Sequence, residues 1–407
     1  MISIIHPSKA VNVSLALTGS KSITNRLLIL RSIYSSIRIE NKSESQDTVL
    51  LDKALNTSSN VIDISHAGTA MRFLTAYYSI LENKEIVLKG SKRMHERPIY
   101  PLVDCLRAIG ADITYLEKTG FPPLKIKGKK LNFNKVQISS GISSQFISAI
   151  LLIAPKLHGG LELELKGELI SKPYIKMTLS ILDNLGVKSS FKNKSIIIEN
   201  SNEIPEKNIS VESDWSSASY WYSIVSLCKE AKVNLRKFHK KSIQGDSVLS
   251  KFYRKLGVET KFVDNEIRLT KKDDIKLPNN LSLDLIDCPD LAQTIAVSCF
   301  GLGVGCELEG LQTLNIKETK RLIALESELK KLGAKVDISN NSLKLFESKK
   351  IKQNITIKTY QDHRMAMSFA PLAIKTPILI ENPNVVIKSY PNFWEDLNKA
   401  GFRIKLI

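Results

Sequence analysis

The sequence predicts a mixed α/β protein, α/β or α+β in class, built as two domains. Three observations carry this. The chain has 407 residues, more than one compact core usually supports. A phrase recurs in which an amphipathic helix end meets a glycine and then an alternating strand. It is seen at Leu106–Gly110, Leu182–Gly186, Tyr253–Gly257, Leu329–Gly333 and Leu397–Gly401. Glycine suits the left-handed position that ends a helix. Strand hairpins then follow these phrases, with turn signals at Lys192-Asn-Lys, Val263-Asp-Asn and Ser339-Asn-Asn. The spacing implies six units, the first irregular, with a period longer than common solenoid repeats.

In chain order, Gly19-Ser-Lys-Ser-Ile-Thr-Asn-Arg26 opens an apolar helix. Ser20 or Ser22 is placed to cap it through a side-chain oxygen. Lys21, Ser22 and Arg26 then lie near a helix N-terminus, where an anion is favoured. A phosphate-binding P-loop is excluded, because Ser20 precedes Lys21 and Leu15 stands where an earlier glycine is required. A helix follows over Gly68 to Leu81, and Pro98 opens another at its first turn. Further helices are expected over Ser144 to Ile153, Ser216 to Cys228, Pro289 to Cys299, Lys317 to Leu332 and Asp362 to Ile374. Ser144–Ile153 and Pro289–Cys299 are apolar nearly all round and read as buried. Gly301-Leu-Gly-Val-Gly-Cys has the wrong spacing for a dinucleotide loop and reads as a helix-to-strand turn.

The net charge is +18, from 59 Lys and Arg against 41 Asp and Glu. The 46 lysines are scattered, which reads as a solvated basic surface. The 13 arginines are scarce, and Arg26, Arg72, Arg97, Arg321 and Arg364 sit in segments dense with Gly, Ser, Asp, Glu or His. Arg offers a rigid fork for carboxylate or phosphate. The five cysteines form no C-x-x-C, which fits reduced thiols in the cytoplasm and argues against structural zinc. No apolar run approaches ~18 residues, so no membrane helix is expected. The N-terminus lacks the pattern of a signal peptide.

Several polar clusters sit at helix starts. Asp290 is either a cap or a general base held among cations. Lys317, Glu318 and Arg321 share a helix face, as a surface ion-pair set or a functional one. Asp362-His-Arg364 heads a helix and reads locally as a polar cap, and Ser143-Ser-Gln145 and Ser171-Lys-Pro-Tyr174 are plain caps or phosphate cradles. Their recurrence in distant units favours a shared cationic cleft for a polyanionic ligand.

These residues fall within eleven ordered motifs that span essentially the whole chain. They include Gly19–Arg26, Ala67-Gly-Thr-Ala-Met-Arg72, Arg93-Met-His-Glu-Arg-Pro98, Ser143–Phe146, Ser171–Tyr174, Asp214–Tyr220 and Gln244-Gly-Asp246. Pro289-Asp290, Lys317–Arg321, Asp362–Met365 and Lys388–Pro391 complete the set. The chain closely resembles the EPSP synthase (3-phosphoshikimate 1-carboxyvinyltransferase) family of enolpyruvyl transferases. The resemblance implies a two-domain inside-out α/β barrel of six βαβαββ units, three per domain. Residues 1–19 and 213–407 would form one domain and 20–212 the other, with crossovers near 18–21 and 211–214. It implies transfer of the enolpyruvyl group of phosphoenolpyruvate to the 5-hydroxyl of shikimate 3-phosphate, releasing phosphate, with no cofactor and no metal.

By the same resemblance, Lys21, Gly68, Arg97, Gln145, Arg321, Arg364 and Lys388 would hold phosphoenolpyruvate. Lys21, Ser22, Arg26, Ser143, Ser144, Gln145, Ser171, Tyr174, Asp290 and Lys317 would hold shikimate 3-phosphate. Asp290 would take the hydroxyl proton, and Glu318 with Lys21 would move protons at the enol carbon and the departing phosphate. A cytoplasmic monomer that partners neither nucleic acid nor membrane is expected. His66 and Phe73 depart from the Asn and Pro of many members, and the role of an Asn found near Thr313 in some is not carried over. A UDP-N-acetylglucosamine enolpyruvyl transferase commonly has a reactive Cys in a mobile loop, whereas Ile80–Arg97 has none and Cys105 falls in a predicted helix. A non-enzymatic nucleic-acid binder lacks the aromatic platforms it would need.

Overall fold

The computed structural model describes all residues except Ile142, Asp273, Asp274 and Lys349. The chain forms two compact units, Met1–Thr18 with Glu212–Ile407, and Gly19–Val211. Each has its own hydrophobic core.

The repeat is plainest over residues 61–127. Strand Val61–Asp63 and strand Glu85–Lys89 run parallel, joined by helix Gly68–Ser79. Helix Tyr100–Ala108 leads into the hairpin Asp112–Tyr115 and Leu124–Lys127, whose second strand pairs with Glu85–Lys89. The same order recurs over residues 135–198 and 280–345. Two units are assembled from separated segments. Ala10–Leu15 pairs in parallel with Glu230–Arg236, although residues 20–212 lie between the first strand and its helix, Trp215–Leu227. Ile2–Ile5 inserts between Ile378–Ile380 and Arg403–Leu406, so the N-terminus completes the last unit. The irregular first unit is truncated. Among the described residues Ile37–Glu40 pairs only with Lys207–Ser210, and helix Gln46–Leu55 passes directly to the next unit without a hairpin. Five sheets of four strands and one of two result among the described residues.

The five glycine phrases behave as the sequence predicts. Gly110, Gly186, Gly257, Gly333 and Gly401 all have φ between +80° and +107°, a region open to glycine at little cost. Asn193 with Lys194, and Asp264 with Asn265, have two successive positive φ values and close their hairpins tightly. Gly303, with φ +74°, separates helix Ala292–Leu302 from strand Gly305–Glu309, so the glycine-rich segment is a helix-to-strand turn.

Helices Ser144–Ile153 and Ala292–Leu302 are buried nearly all round, in separate units. Their small hydroxyl residues find partners inside. Ser148 Oγ accepts from Arg26, and Ser298 Oγ donates to the Thr294 carbonyl at 2.7 Å. Such pairing removes most of the penalty for burying a hydroxyl.

Four expected boundaries shift. Pro98 precedes its helix, and Pro101 occupies the first turn instead. The stretch from Pro289 begins as a 3-10 turn, Pro289–Leu291, before the α-helix at Ala292. Helix His363–Phe369 passes into the 3-10 turn Ala370–Ile374. The helix expected from Lys317 begins only at Arg321, after a 3-10 turn over Gln312–Ile316 and an extended Lys317.

The glycine positions separate strain from collision. Gly186→Ala meets no atom within 4 Å and should lose only about 1 kcal/mol for its left-handed backbone. In Gly128→Ala the new methyl would collide with the Leu81 carbonyl oxygen, and this variant should unfold at a far lower temperature. Calorimetry on both checks the ranking.

Candidate active site

In the unit of Met1–Thr18 and Glu212–Ile407, Arg321 is the centre of the polar cluster. It opens helix Arg321–Lys331 and is 2 % exposed. Its Nε donates to Asp362 Oδ2 at 2.7 Å, its Nη1 to Asp290 Oδ1 at 2.7 Å and its Nη2 to Glu318 Oε2 at 2.8 Å. One planar fork therefore reaches three carboxylates from three segments. Burial opposes the Arg321 charge. Asp362, Glu318 and Asp290 outweigh it and raise the group above the usual guanidinium range.

Other cations complete the cluster. Lys317 Nζ lies 3.4 Å from Asp290 Oδ1, Arg364 Nη2 lies 3.4 Å from Asp290 Oδ2, and Lys388 Nζ lies 3.7 Å from Glu318 Oε1. Arg364 Nη1 also donates to the Asp290 carbonyl at 3.1 Å. Burial pushes the Asp290 carboxyl up. Lys317, Arg364 and Arg321 more than reverse this and hold it well below the usual carboxylate range. The resting group is a carboxylate with three cations around it.

These contacts correct two of the local readings. Asp290 does not cap its helix through its side chain. Lys317, Glu318 and Arg321 do not share a helix face, because the helix starts at Arg321, and Arg321 joins a buried cluster instead of a surface ion-pair ladder. Asp362 both caps helix His363–Phe369, through the Arg364 N–H at 2.9 Å, and grips Arg321. Its pairing had no local signal beyond the Asp-His-Arg phrase.

The segment delivering Asp362 is itself restrained. Tyr360 and Gln361 have φ of +53° and +57°, a conformation costing non-glycine residues about 1–2 kcal/mol each. Glu328, on the same helix as Arg321, holds this turn. It accepts from the Tyr360 hydroxyl at 2.7 Å and the Lys358 N–H at 3.1 Å.

The unit Gly19–Val211 carries the other candidates. Lys21 opens helix Lys21–Ile33, and its Nζ meets Asp47 Oδ2 at 3.3 Å. Asp47 was not among the sequence candidates. Ser20 occupies the cap position without a side-chain cap, and its hydroxyl is buried with no hydrogen-bond partner among the described residues. The expected serine cap of this helix is therefore absent, because the first turn is fixed by core packing of Ile23 to Leu30.

Arg26 is buried and donates to Thr178 Oγ1, the Ser22 carbonyl, Ser148 Oγ and the Tyr174 carbonyl. All four acceptors are neutral, and burial lowers the group to about 10. Gly68 begins helix Gly68–Ser79 between two guanidinium groups. A methyl there would lie 2.5 Å from Arg97 Nη1 and 2.7 Å from Arg72 Nη1. Arg72 also donates to the Gly68 carbonyl at 2.6 Å and sits over the Phe146 ring. Arg97 is 7 % exposed, with Nε lacking a hydrogen-bond partner among the described residues. Arg72 was singled out as a scarce arginine but not assigned to the site, since nothing in its sequence context reveals that it shares a glycine with Arg97.

Gln145 Nε2 reaches Thr69 Oγ1 at 3.3 Å, and Ser143 caps the Gln145 N–H at 3.3 Å. Ser144 begins that helix and is buried. Ser171, with φ +56°, precedes helix Lys172–Asn184, whose first turn carries Tyr174. Within this unit the structure thus joins Gly68, Arg72 and Arg97 in one group and Ser22, Arg26 and Tyr174 in another. No group of His, Cys, Asp and Glu suited to a metal occurs among the described residues.

Residues 35–397 match the family model for EPSP synthase (3-phosphoshikimate 1-carboxyvinyltransferase). The chain belongs to the EPSP synthase family. A 3-phosphoshikimate 1-carboxyvinyltransferase of Bacteroides fragilis is 43 % identical over 400 residues, covering 97 % of both chains. One from Haemophilus influenzae is 34 % identical over 427 residues, again covering 97 % of each. The fold is similar to that of an EPSP synthase from Acinetobacter baumannii, with a TM-score of 0.78, 20 % identity and coverage of 100 % and 99 %. An enolpyruvyl transferase from Streptomyces tendae has a TM-score of 0.74 at 14 % identity, covering 99 % and 98 %. No helix among the described residues is long and apolar enough to cross a membrane.

The Asp290 environment has a measurable consequence. A carboxyl depressed by folding stabilises the native state above its unfolded value of about 3.9, and that contribution is lost as pH falls below it. Asp290→Asn should therefore lose less stability than the parent between pH 5 and 3, by about 1 kcal/mol. Equal acid limbs in urea unfolding would contradict this charge assignment.

Proposed function

We propose that this EPSP synthase family member transfers the enolpyruvyl group of phosphoenolpyruvate to the 5-hydroxyl of shikimate 3-phosphate, within chorismate and aromatic amino-acid biosynthesis. The observation that carries the reading is the ionised Asp290 among Lys317, Arg321 and Arg364, with Glu318 on the same arginine. Two carboxylates with different partners can divide base and acid work. Phosphoenolpyruvate is assigned to Lys21, Gly68, Arg97, Gln145, Arg321, Arg364 and Lys388. Shikimate 3-phosphate is assigned to Lys21, Ser22, Arg26, the Ser143–Gln145 helix start, Ser171, Tyr174, Asp290 and Lys317.

In the addition step, the 5-hydroxyl oxygen bonds to the enol carbon bearing phosphate. The hydroxyl proton goes to Asp290, and Glu318 with Lys21 delivers a proton to the methylene carbon. In the elimination, Glu318 with Lys21 takes a proton back from the new methyl group as the carbon–oxygen bond to phosphate breaks, and the phosphate leaves with that bond's electron pair and the proton released from the 5-hydroxyl. A strongly depressed carboxylate is a weak base. Anionic substrates engaging Lys317, Arg321 and Arg364 draw those cations from Asp290 and raise its basicity when substrates are bound. Arg72, beside Gly68 and Arg97, adds positive charge where phosphate or carboxylate is assigned.

The proposal extends to a cytoplasmic monomer. All five cysteines are free and buried, compatible with a reducing compartment. Cys105 lies within a helix, and burial and then Asp104 raise its thiol to about 12. That is contrary to the reactive cysteine expected of a UDP-N-acetylglucosamine enzyme.

Phosphate release from phosphoenolpyruvate should require shikimate 3-phosphate and be absent with UDP-N-acetylglucosamine. Asp290→Ala should nearly abolish release while isothermal titration still detects shikimate 3-phosphate binding. Turnover only with the sugar nucleotide overturns the reading. A variant within about tenfold of the parent, roughly 1.4 kcal/mol of barrier, removes Asp290 as the base.

A further inference from the structure

A second buried carboxylate lies beside this cluster without a part in the chemistry above. Asp246, in the 3-10 turn Gly245–Val248, is 4 % exposed. Its Oδ2 accepts a hydrogen bond from the Ser216 hydroxyl. Ser216 Oγ in turn accepts from Arg364 Nη2 at 3.3 Å. A hydroxyl has one proton. With that proton committed to Asp246, Ser216 presents only lone pairs to the guanidinium.

Both segments that bring these groups together are laced to one another. Gln244 Oε1 accepts from the Trp215 N–H at 3.1 Å, and Gln244 Nε2 donates to Glu212 Oε2 at 2.8 Å and to the Ser213 carbonyl at 2.9 Å. Glu212 Oε1 accepts from Trp215 Nε1 and the His239 N–H, each at 2.9 Å. The Ser216 hydroxyl is therefore held from both sides. By contrast, Asp246 Oδ1 is buried and has no hydrogen-bond partner among the described residues. Leaving a buried carboxylate half satisfied is costly. A neutral amide would accept the same serine proton. What the carboxylate adds is a negative charge next to Arg364.

We propose that Asp246 is a positioning residue for phosphoenolpyruvate binding, fixing the Arg364 guanidinium through Ser216 and through its own charge. The inference rests on Arg364 being a phosphoenolpyruvate ligand. The charged groups around Asp246 are Arg364, which favours its ionised form, and Asp290 and Asp214, which oppose it; the Cys288 thiol is also close. Burial is the largest influence, and the carboxyl is raised to about 6. Its charge, and with it the hold on Arg364, is present above that pH and lost below it.

Steady-state kinetics on Asp246→Asn, Ser216→Ala and Arg364→Lys tests the idea. Asp246→Asn and Ser216→Ala should each raise KM for phosphoenolpyruvate about tenfold, equivalent to 1.4 kcal/mol, with KM for shikimate 3-phosphate unchanged within about twofold. The Asp246→Asn to parent ratio of KM for phosphoenolpyruvate should fall toward one below pH 6, a comparison in which the substrate's own ionisation cancels. Unchanged KM values in both variants, or equal shifts for both substrates, overturn the inference. If Asp246→Asn does not fold, Ser216→Ala alone decides. If Arg364→Lys raises the phosphoenolpyruvate KM while the other two do not, only this inference fails. If Arg364→Lys also leaves it unchanged, the ligand assignment of Arg364 fails as well.

Discussion

The buried guanidinium of Arg321 is the constraint on which the larger unit's polar centre depends. It stands at the first position of a helix, where the dipole disfavours a cation, and it is almost wholly out of water. Removing such a charge from solvent costs several kcal/mol. Three carboxylates within hydrogen-bonding distance offset that cost. The requirement works in both directions. Asp290, Glu318 and Asp362 are tolerated in the interior because Arg321 is there. Their backbones, from a 3-10 turn, a bend and a helix cap, are thereby tied to one point. Arg364 follows Asp362 by two residues and reaches Asp290 from the opposite side. The other end of the Arg321 helix secures the same segment through Glu328, which explains how two successive left-handed residues are maintained.

The Gly19–Val211 unit solves its electrostatics differently. Arg26 is neutralised by no carboxylate in its hydrogen bonds and instead stitches three helices through hydroxyls and carbonyls. Arg72 and Arg97 crowd the same glycine. Two guanidinium groups pack against a glycine at a helix start, where a side chain would collide with both. That is suited to a compact anion. One unit thus holds its cations in internal pairs, and the other concentrates cations around a helix start.

Much of this was legible in the sequence. The glycine phrases located five helix-to-strand turns because a left-handed C-terminal residue is a local requirement. The all-apolar stretches Ser144–Ile153 and Pro289–Cys299 identified the buried helices for a similarly local reason. The errors cluster where tertiary pairing prevails over local pattern. Lys317 and Glu318 read as the first helical turn, yet the helix waits for Arg321, whose fork must meet three segments. Ser20 carries an ideal capping hydroxyl that the packed helix does not use. Asp47 lacked a signal, and Asp246 stood in the Gln244-Gly-Asp246 motif without an assigned role, because their partners, Lys21 and Ser216, are 26 and 30 residues away. The irregular first unit was expected from the spacing, but its pairing of Ile37–Glu40 with Lys207–Ser210 was hidden, since the two strands are separated by most of the Gly19–Val211 segment.

The most direct test of this account is the stability of Arg321→Met measured in two backgrounds by urea unfolding. In the natural background, loss of the cation strands three carboxylates and should cost about 3–5 kcal/mol. In a background carrying Asp290→Asn, Glu318→Gln and Asp362→Asn, the same substitution should cost much less, because the charges that required Arg321 are gone. An equal cost in both backgrounds would contradict the account, leaving Arg321 as a packing element instead of the charge that assembles the site.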